Sequence, residues 1–535
     1  MANIPPSLYV KEREAPWPKL RSRQPGQTIS VLFDRDPGAD GEQDAAPDFF
    51  ADLNLDQIVA AITQSRESYR LAPFLHVVLS TPDAIVYRQE VMRDVQLLPV
   101  RKAVNDFAAA LVEVRARLAR AGRRGYRRQQ QRWFVDAASL YVSELESFTD
   151  AIRTASAKSS GLGRVRDYCI ELVAAPEFGA LREEVTSLVR RLNEVHVSMH
   201  ILDGGVRVSK YAGASDYSAE VLAHFERFRQ GAVELEKTKE RDYDELNHVE
   251  AAILDRIALL YPELFADVDR FTQQHEAFID DVVARFDREI QFYVGYAELI
   301  ERLSPAGLDF CFPQIDRKDK AVRSEASFDL ALASKLVADG KAVVTNDFYL
   351  EGAERIFVIS GPNQGGKTTF ARTFGQLHYL AALGLPVPGR TAKLYLFDRL
   401  FTHFEREEDI RNHRGKLQDD LVRIHKILEH ATSDSIIVMN EIFTSTALKD
   451  ALFLSRHVLQ RIMALDALAV CVTFIDELTT LGPQTVSALS TVVPDNPAER
   501  TFNIERRKAD GRAYAAALAR KYRLTQDDLE ERLVS

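Results

Sequence analysis

Cysteine is scarce in this chain of 535 residues. Cys169, Cys311 and Cys471 stand far apart with no metal-ligand spacing, which excludes a disulfide scaffold or a zinc ribbon. Long apolar runs are missing too: none approaches the ~20 residues that span a bilayer. The start, Met1 to Val10, has neither the basic residues nor the apolar stretch of a signal peptide. These absences predict a soluble, cytoplasmic protein with no membrane partner. Positive charge is in deficit, with 69 Lys and Arg against 79 Asp and Glu and a net charge of -10. Coating of nucleic acid through bulk electrostatics is therefore disfavoured. Internal repeats and low-complexity tracts are also lacking.

What remains is ordinary globular composition, 46% hydrophobic and 28% charged, so large cores can form. The length suggests roughly three or four domains. Residues 1–50 read as an irregular segment, with a strand at Thr28 to Phe33 and an acidic linker or mobile loop from Asp34 to Asp48. Leu55, Ile58, Val59 and Ile62 then recur at helical spacing after Asn54, a candidate N-cap. Helical periodicity continues to Leu303, interrupted at Val195 to Tyr211, where alternation and Asp203-Gly204-Gly205 predict a β-hairpin. Tyr217 to Leu303 reads as paired amphipathic helices. Beyond Ser304-Pro305, short β-branched strands alternate with helices, which is α/β behaviour. Expected domains are thus 1–50, a helical 51–330 and an α/β 331–535.

The chemistry concentrates in the last of these. A strand pattern, Ile356 to Ser360, runs into Gly361-Pro362-Asn363-Gln364-Gly365-Gly366-Lys367-Thr368-Thr369 and a helix. This is G-x-x-x-x-G-K-[ST] in its strand–loop–helix context. Glycines let consecutive amides converge on phosphate oxygens at a helix N-terminus. Lys367 would reach the terminal phosphates and the Thr368 hydroxyl would ligate Mg²⁺, so ATP and Mg²⁺ are the expected cofactors. A second strand, Ser435 to Met439, ends in Asn440-Glu441. Glu441 is placed to activate the attacking water, and Asn440 stands where an Asp usually holds the metal shell. The plain alternative for Glu441 is a cap on the helix that follows.

The wording of the loop, with Gly384-Leu385-Pro386-Val387-Pro388, Leu400-Phe401-Thr402, Glu408-Asp409, Ile427 to Thr432, Met439 to Ile442, Thr473 to Leu478 and Ala509 to Tyr514, resembles the ATPase domain of the MutS family of DNA mismatch-repair proteins. Asp52 to Leu55 and Tyr87 to Val91 resemble the start of that family's helical core. The resemblance implies a multidomain chain: a mainly α-helical core, lever and clamp followed by an α/β P-loop ATPase of ABC-like type. It also implies a C-terminal helical dimerisation segment, a homodimer that sandwiches nucleotide between subunits and encircles DNA, and a repair-protein partner. Lys367, Thr368 and Glu441 would keep their family roles, with Asn346-Asp347 near the base.

The sequence departs from that pattern at Asn440, at Phe443-Thr444-Ser445, near Arg414-Gly415-Lys416 and at Phe474, where the family carries an Asp, a small-residue turn, a signature Ser and a switch His. Slow hydrolysis is expected. Only some fifty residues precede the core, so the mismatch-reading domain is expected to be missing. The most basic stretch holds Arg115, Arg117, Arg120, Arg123, Arg124, Arg127, Arg128 and Arg132, a candidate for sequence-independent phosphate contacts with DNA; pairing with acidic helices is the alternative. The leading expectation is an ATP-binding, slowly hydrolysing dimeric clamp on DNA, in mismatch repair or recombination control. Its competitor is an ATP-switched protein-interaction module with no DNA role or negligible hydrolysis.

Overall fold

The computed structural model describes residues 29–123, 125–202, 205–213, 246–405, 415–493 and 496–508. Outside the described residues lie the expectations for residues 1–28, Arg124, the turn Asp203-Gly204, the helical stretch from Tyr217 to 245, Glu408-Asp409, Arg414, and the C-terminal segment from Ala509 on. Among the described residues no helix is long and apolar enough to cross a membrane. The architecture is multidomain, helical plus α/β. Its two compact units do not follow chain order: among the described residues, one is built on those of Leu98–Ala157 and Gly163–Asp287, the other on Lys158–Leu162, those from Arg288 onward and those up to Leu97.

The second unit opens with a correction. Residues 29–33, expected as part of a strand, are coil and bends. Ser30 Oγ and the Val31 amide donate to the buried Glu289 carboxylate at 2.7 and 2.9 Å, and Val31 and Leu32 are buried. A side-chain acceptor here does what a strand partner would otherwise do for the backbone. The acidic stretch after it, expected as a mobile linker, is docked: Arg288 holds Glu42 through both Nη atoms at 2.7 and 2.8 Å, and the Gln43 amide donates to the Pro73 carbonyl. Helix α1 (Leu55–Thr63) buries Leu55, Ile58 and Ile62. Asn54 does precede it, but at φ +55° and with no side-chain capping bond. Helix α2 (Pro82–Val95) is capped by Thr81, whose Oγ1 accepts from the Ala84 amide, and has Pro at its first position. From it the buried Arg88 donates to the carbonyls of Leu32 and Leu383.

The other unit is an array of helices: α3 (Leu98–Ala121), α4 (Arg127–Thr154), α5 (Ser160–Ala174), α6 (Pro176–Asn193), then strands β1 (Val197–Leu202) and β2 (Gly205–Lys210), then α7 (His248–Leu260), α8 (Pro262–Gln274) and α9 (Asp281–Leu303). Both α5 and α9 contribute residues to each unit. The strands pair antiparallel from Val197 opposite Lys210 to Leu202 opposite Gly205, the hairpin that alternation and glycines predict. The antiparallel pair α3 and α4 meets through stacked Phe107 and Phe148 rings, 4.4 Å apart.

The α/β half of the second unit holds two larger sheets, beside a two-stranded pairing of Phe310–Cys311 with Val387–Pro388. Strands β3 (Gln314–Asp316), β4 (Val322–Ser327), β5 (Asn346–Leu350) and a later β7 (Thr391–Tyr395) form one, in the order β3-β7-β4-β5, with helix α10 (Leu330–Ala338) between β4 and β5. The other contains β6 (Ile356–Ser360), which leads to α11 (Lys367–Ala382). It adds β8 (Leu400–His403), β9 (Ile436–Asn440), β10 (Leu468–Val472), β11 (Thr485–Val493) and β12 (Asn496–Arg506), with α12 (Lys416–His430) before β9 and α13 (Leu448–Leu465) after it. The order is β8-β9-β10-β6-β11-β12, parallel except for the last pair. Every residue of β6 and β10 is buried. Strands enclosed on both faces read as unbroken apolar runs, which is why they are visible in the sequence. Ile359 pairs with Val472 and Val472 with Asn440, so the central strands end in one row.

Helix α9 lies against α1 at Gly295, where a Cβ would run into the Ile62 carbonyl oxygen. Gly295→Ala should therefore lower stability by about 2 kcal/mol despite alanine's better helix propensity, read as a fall in the denaturant midpoint.

Candidate active site

The row of strand ends carries the site. Ser360 closes β6, and the chain turns through Gly361 (φ +114°), Gln364 (φ +58°) and Gly366 (φ +91°) into α11. The glycines serve a close approach as well as a turn. A Cβ on Gly361 would lie 2.9 Å from the Ser490 carbonyl, and one on Gly365 would collide with Ser490 Oγ. With glycine in place, Ser490 Oγ donates to the Gly365 carbonyl at 2.6 Å, and Arg500 Nε donates to the Asn363 carbonyl at 3.1 Å. The β11–β12 hairpin is thus one wall of the loop.

Lys367, the first residue of α11, is only 4% exposed. Its Nζ donates to the carbonyls of Gly361 and Pro362, both at 3.0 Å, and sits 4.5 Å from the centre of the Phe474 ring. Burial pushes its pKa down; Glu441 opposes this and Arg500 adds to it. Thr368 Oγ1 donates to Asn440 Oδ1 at 2.9 Å. These two oxygens are hard donors of the kind that suits Mg²⁺, and the loop offers backbone amides beside them; the amide of Asn440 brings no charge. Glu441 follows at φ +56°, its amide bonded to the Val472 carbonyl at 2.9 Å. Burial pushes the Glu441 pKa up, Lys367 pulls it down, and Glu405 pushes it up again. Glu405 itself accepts from Lys416 and Thr444. Glu441 does not cap the following helix: the N-cap of α13 is Ala447.

Beside the loop lies a pocket of about 550 Å³, lined among others by Asn346, Asp347, Phe348, Tyr349, Phe370 and Arg506. Asn346 fixes its rim, donating to the Phe502 carbonyl at 3.2 Å and accepting from the Ile504 amide at 2.7 Å. The guanidinium of Arg506 covers the Tyr349 ring at 4.1 Å.

The MutS domain V family matches residues 357–521, the stretch that contains this loop, Asn440 and Glu441. The DNA mismatch repair protein MutS of Chlamydia muridarum (strain MoPn / Nigg) is 23% identical over 298 residues, covering 55% of this chain and 35% of that protein. The protein of the same name from Ruminiclostridium cellulolyticum (strain ATCC 35319 / DSM 5812 / JCM 6584 / H10) is 28% identical over 223 residues, 41% of this chain and 24% of that one. Over these stretches the chain is similar to the MutS family. It spans about a third or less of the length of these two relatives.

The structure brings together the loop from Gly361 to Gly366, Lys367, Thr368, Asn440 and Glu441, with Thr369 in the first turn of α11. The Phe474 ring covers the Lys367 ammonium. The arginine cluster belongs to the helical unit, where acids meet it. Arg115 lies 2.6 Å from the buried Asp287, and Arg127 and Arg128 lie 2.8 Å from Asp269. Arg117 and Arg132 pair with Glu113 and Asp136. Arg123 is exposed, and Arg124 is outside the described residues. Sequence reasoning missed Ser490 and Arg500. Nothing local marks them, because a serine and an arginine on a hairpin read as ordinary strand residues.

The raised pKa of Glu441 fixes a sign. A carboxyl whose folded pKa lies above its unfolded value favours folding when protonated, and that contribution is lost as pH rises through the folded pKa. Glu441→Gln should therefore melt at a higher temperature than wild type at pH 7. The difference should shrink as pH falls towards 4.5, the ordinary value for this group, in melting curves taken across that range.

Proposed function

We propose that this chain is a MutS-family, Mg²⁺-dependent ATPase of the P-loop, ABC-like type with slow turnover, serving a mismatch-repair related role. The carrying observation is the buried Lys367 ammonium at a glycine loop, with the Thr368–Asn440 pair and Glu441 at the end of β9, two strands from β6 in the sheet. Loop amides and Lys367 hold the phosphates of ATP. Thr368 and Asn440 hold Mg²⁺, which neutralises phosphate charge when bound. The Glu441 carboxylate takes a proton from the attacking water, a task that its raised pKa favours. Asn440 supplies a dipole where a carboxylate would supply a charge, which fits slow hydrolysis. The pocket at Asn346 and Tyr349 takes the base.

On this reading residues 331–535 form the ATPase region with a C-terminal helical dimerisation segment, and 51–330 the core and lever. The active form is a homodimer that closes on DNA in the cytoplasm. A second reading, an ATP-switched module that docks a protein partner, is favoured by one observation: Arg115, Arg127 and Arg128 are already matched to Asp287 and Asp269, which reduces what they offer to phosphates.

Lys367→Ala should weaken ATP binding roughly a hundredfold, on the order of 3 kcal/mol. Glu441→Gln should bind ATP normally and slow its hydrolysis about 10²–10⁴-fold. Equal ATP lifetimes in wild type and Glu441→Gln would sink the enzyme. Turnover measured with linear, mismatched and branched DNA separates the two readings. Stimulation that fades as salt rises supports the clamp, and indifference to every DNA supports the protein-partner switch.

A further inference from the structure

The β11–β12 hairpin is irregular where it meets the glycine loop. Its register shifts between Ser490 and Val492 and again between Val492 and Val493, and Arg500 is the residue paired with Val492. Phe502, two residues on, has φ +60°. Bulges of this kind bend a strand and re-aim its side chains, and they gather beside active sites. Here the bend puts β12 against the loop: a Cβ on Gly366 would stand 3.3 Å from the Phe502 carbonyl.

Two side chains from the hairpin hold loop carbonyls, Arg500 Nε that of Asn363 and Ser490 Oγ that of Gly365. In a planar trans peptide the carbonyl and the following N–H point opposite ways. Holding the Asn363 oxygen towards β12 therefore turns the Gln364 amide to the other side of the loop, and holding that of Gly365 does the same for Gly366. Arg500 also carries charge. It is near enough to Lys367 to act on it as a like charge, while Asn440 leaves the opposite wall one carboxylate short. A second cation beside Lys367 suits a ligand with several negative charges.

We propose that Arg500 is a positioning residue of the glycine loop, one that turns the Gln364 amide towards bound phosphates and adds the positive charge that makes affinity rise with phosphate number. This rests on nucleotide binding by the loop, as proposed above.

The test is titration of the full chain with ATP, ADP and AMP at fixed pH and salt, for wild type, Arg500→Lys, Arg500→Gln and Arg500→Ala, with a melting curve for each. Loss of one charge-assisted contact predicts about tenfold weaker ATP binding in the Gln and Ala variants. The loss should be smaller for ADP and least for AMP, with most of the affinity restored in Arg500→Lys and melting temperatures unchanged. If Arg500→Ala does not fold, the Lys and Gln variants decide the matter, because they differ in charge. Wild-type ATP affinity in Arg500→Gln, an equal loss for all three nucleotides, or no rescue by lysine would each overturn the proposal while leaving the loop a nucleotide site. A wild-type chain that binds none of the three would overturn the nucleotide reading itself, and this inference with it.

Discussion

A charged amine taken out of water must find acceptors nearby, and the arrangement around Lys367 follows from that requirement. Two carbonyls of its own loop, an aromatic face and a carboxylate just past the end of β9 together offset the burial of one cation. The loop must then bend sharply enough to bring Gly361 and Pro362 back over the first residue of α11, which positive φ at Gly361 and Gly366 permits. It must also lie flush against β11, which the absence of a Cβ at Gly361 and Gly365 permits. Buried, parallel strands supply the platform, and the pairing of Ile359, Val472 and Asn440 aligns their ends.

The same burial acts in opposite directions on the two charged groups of the site. It lowers the pKa of Lys367 and raises that of Glu441, and each group's charge opposes the shift of the other. A site of this kind is electrostatically undersatisfied, with a cation only partly stabilised and an acid held closer to protonation than in water. Anionic oxygen brought to Lys367 relieves the first, which gives the loop a physical preference for phosphate. The neutral Thr368–Asn440 pair leaves that preference dependent on protein cations more than a carboxylate-bearing site would be.

What could be read from the chain in advance was what is local. The loop, the strand before it and the strand ending in Asn440-Glu441 each occupy a few consecutive residues whose types fix their geometry. The hairpin at Val197 to Lys210 was equally legible, because alternation and glycine spacing are short-range signals. Legibility failed where a distant group decided the outcome. Ser30 and Val31 look like strand residues until Glu289, some 259 positions away, takes their hydrogen bonds. For the arginines from 115 to 132 the sequence left a basic patch and pairing with acidic helices both open, and Asp269 and Asp287 meet them across separations of 141 and 172. Ser490 and Arg500 belong to the same class: their meaning lies in a loop well over a hundred positions earlier.

The interleaving of the two units has a consequence for how the chain is made. Residues 29–97 belong with the described residues from Arg288 onward, and the helical segments lie between them in sequence. The bonds that tie the early stretch down, Ser30 to Glu289, Arg372 to Asp52 and Thr402 to Asp52, span 259, 320 and 350 positions. A ribosome adding about 5–20 residues each second must release the whole inserted array before those partners exist. The inserted helices, rich in short-range contacts, can condense while synthesis continues, whereas α1 and α2 wait with their apolar faces uncovered. For this unit the slow step of folding is therefore set by the order of translation, and the waiting segment is where a chaperone would be needed.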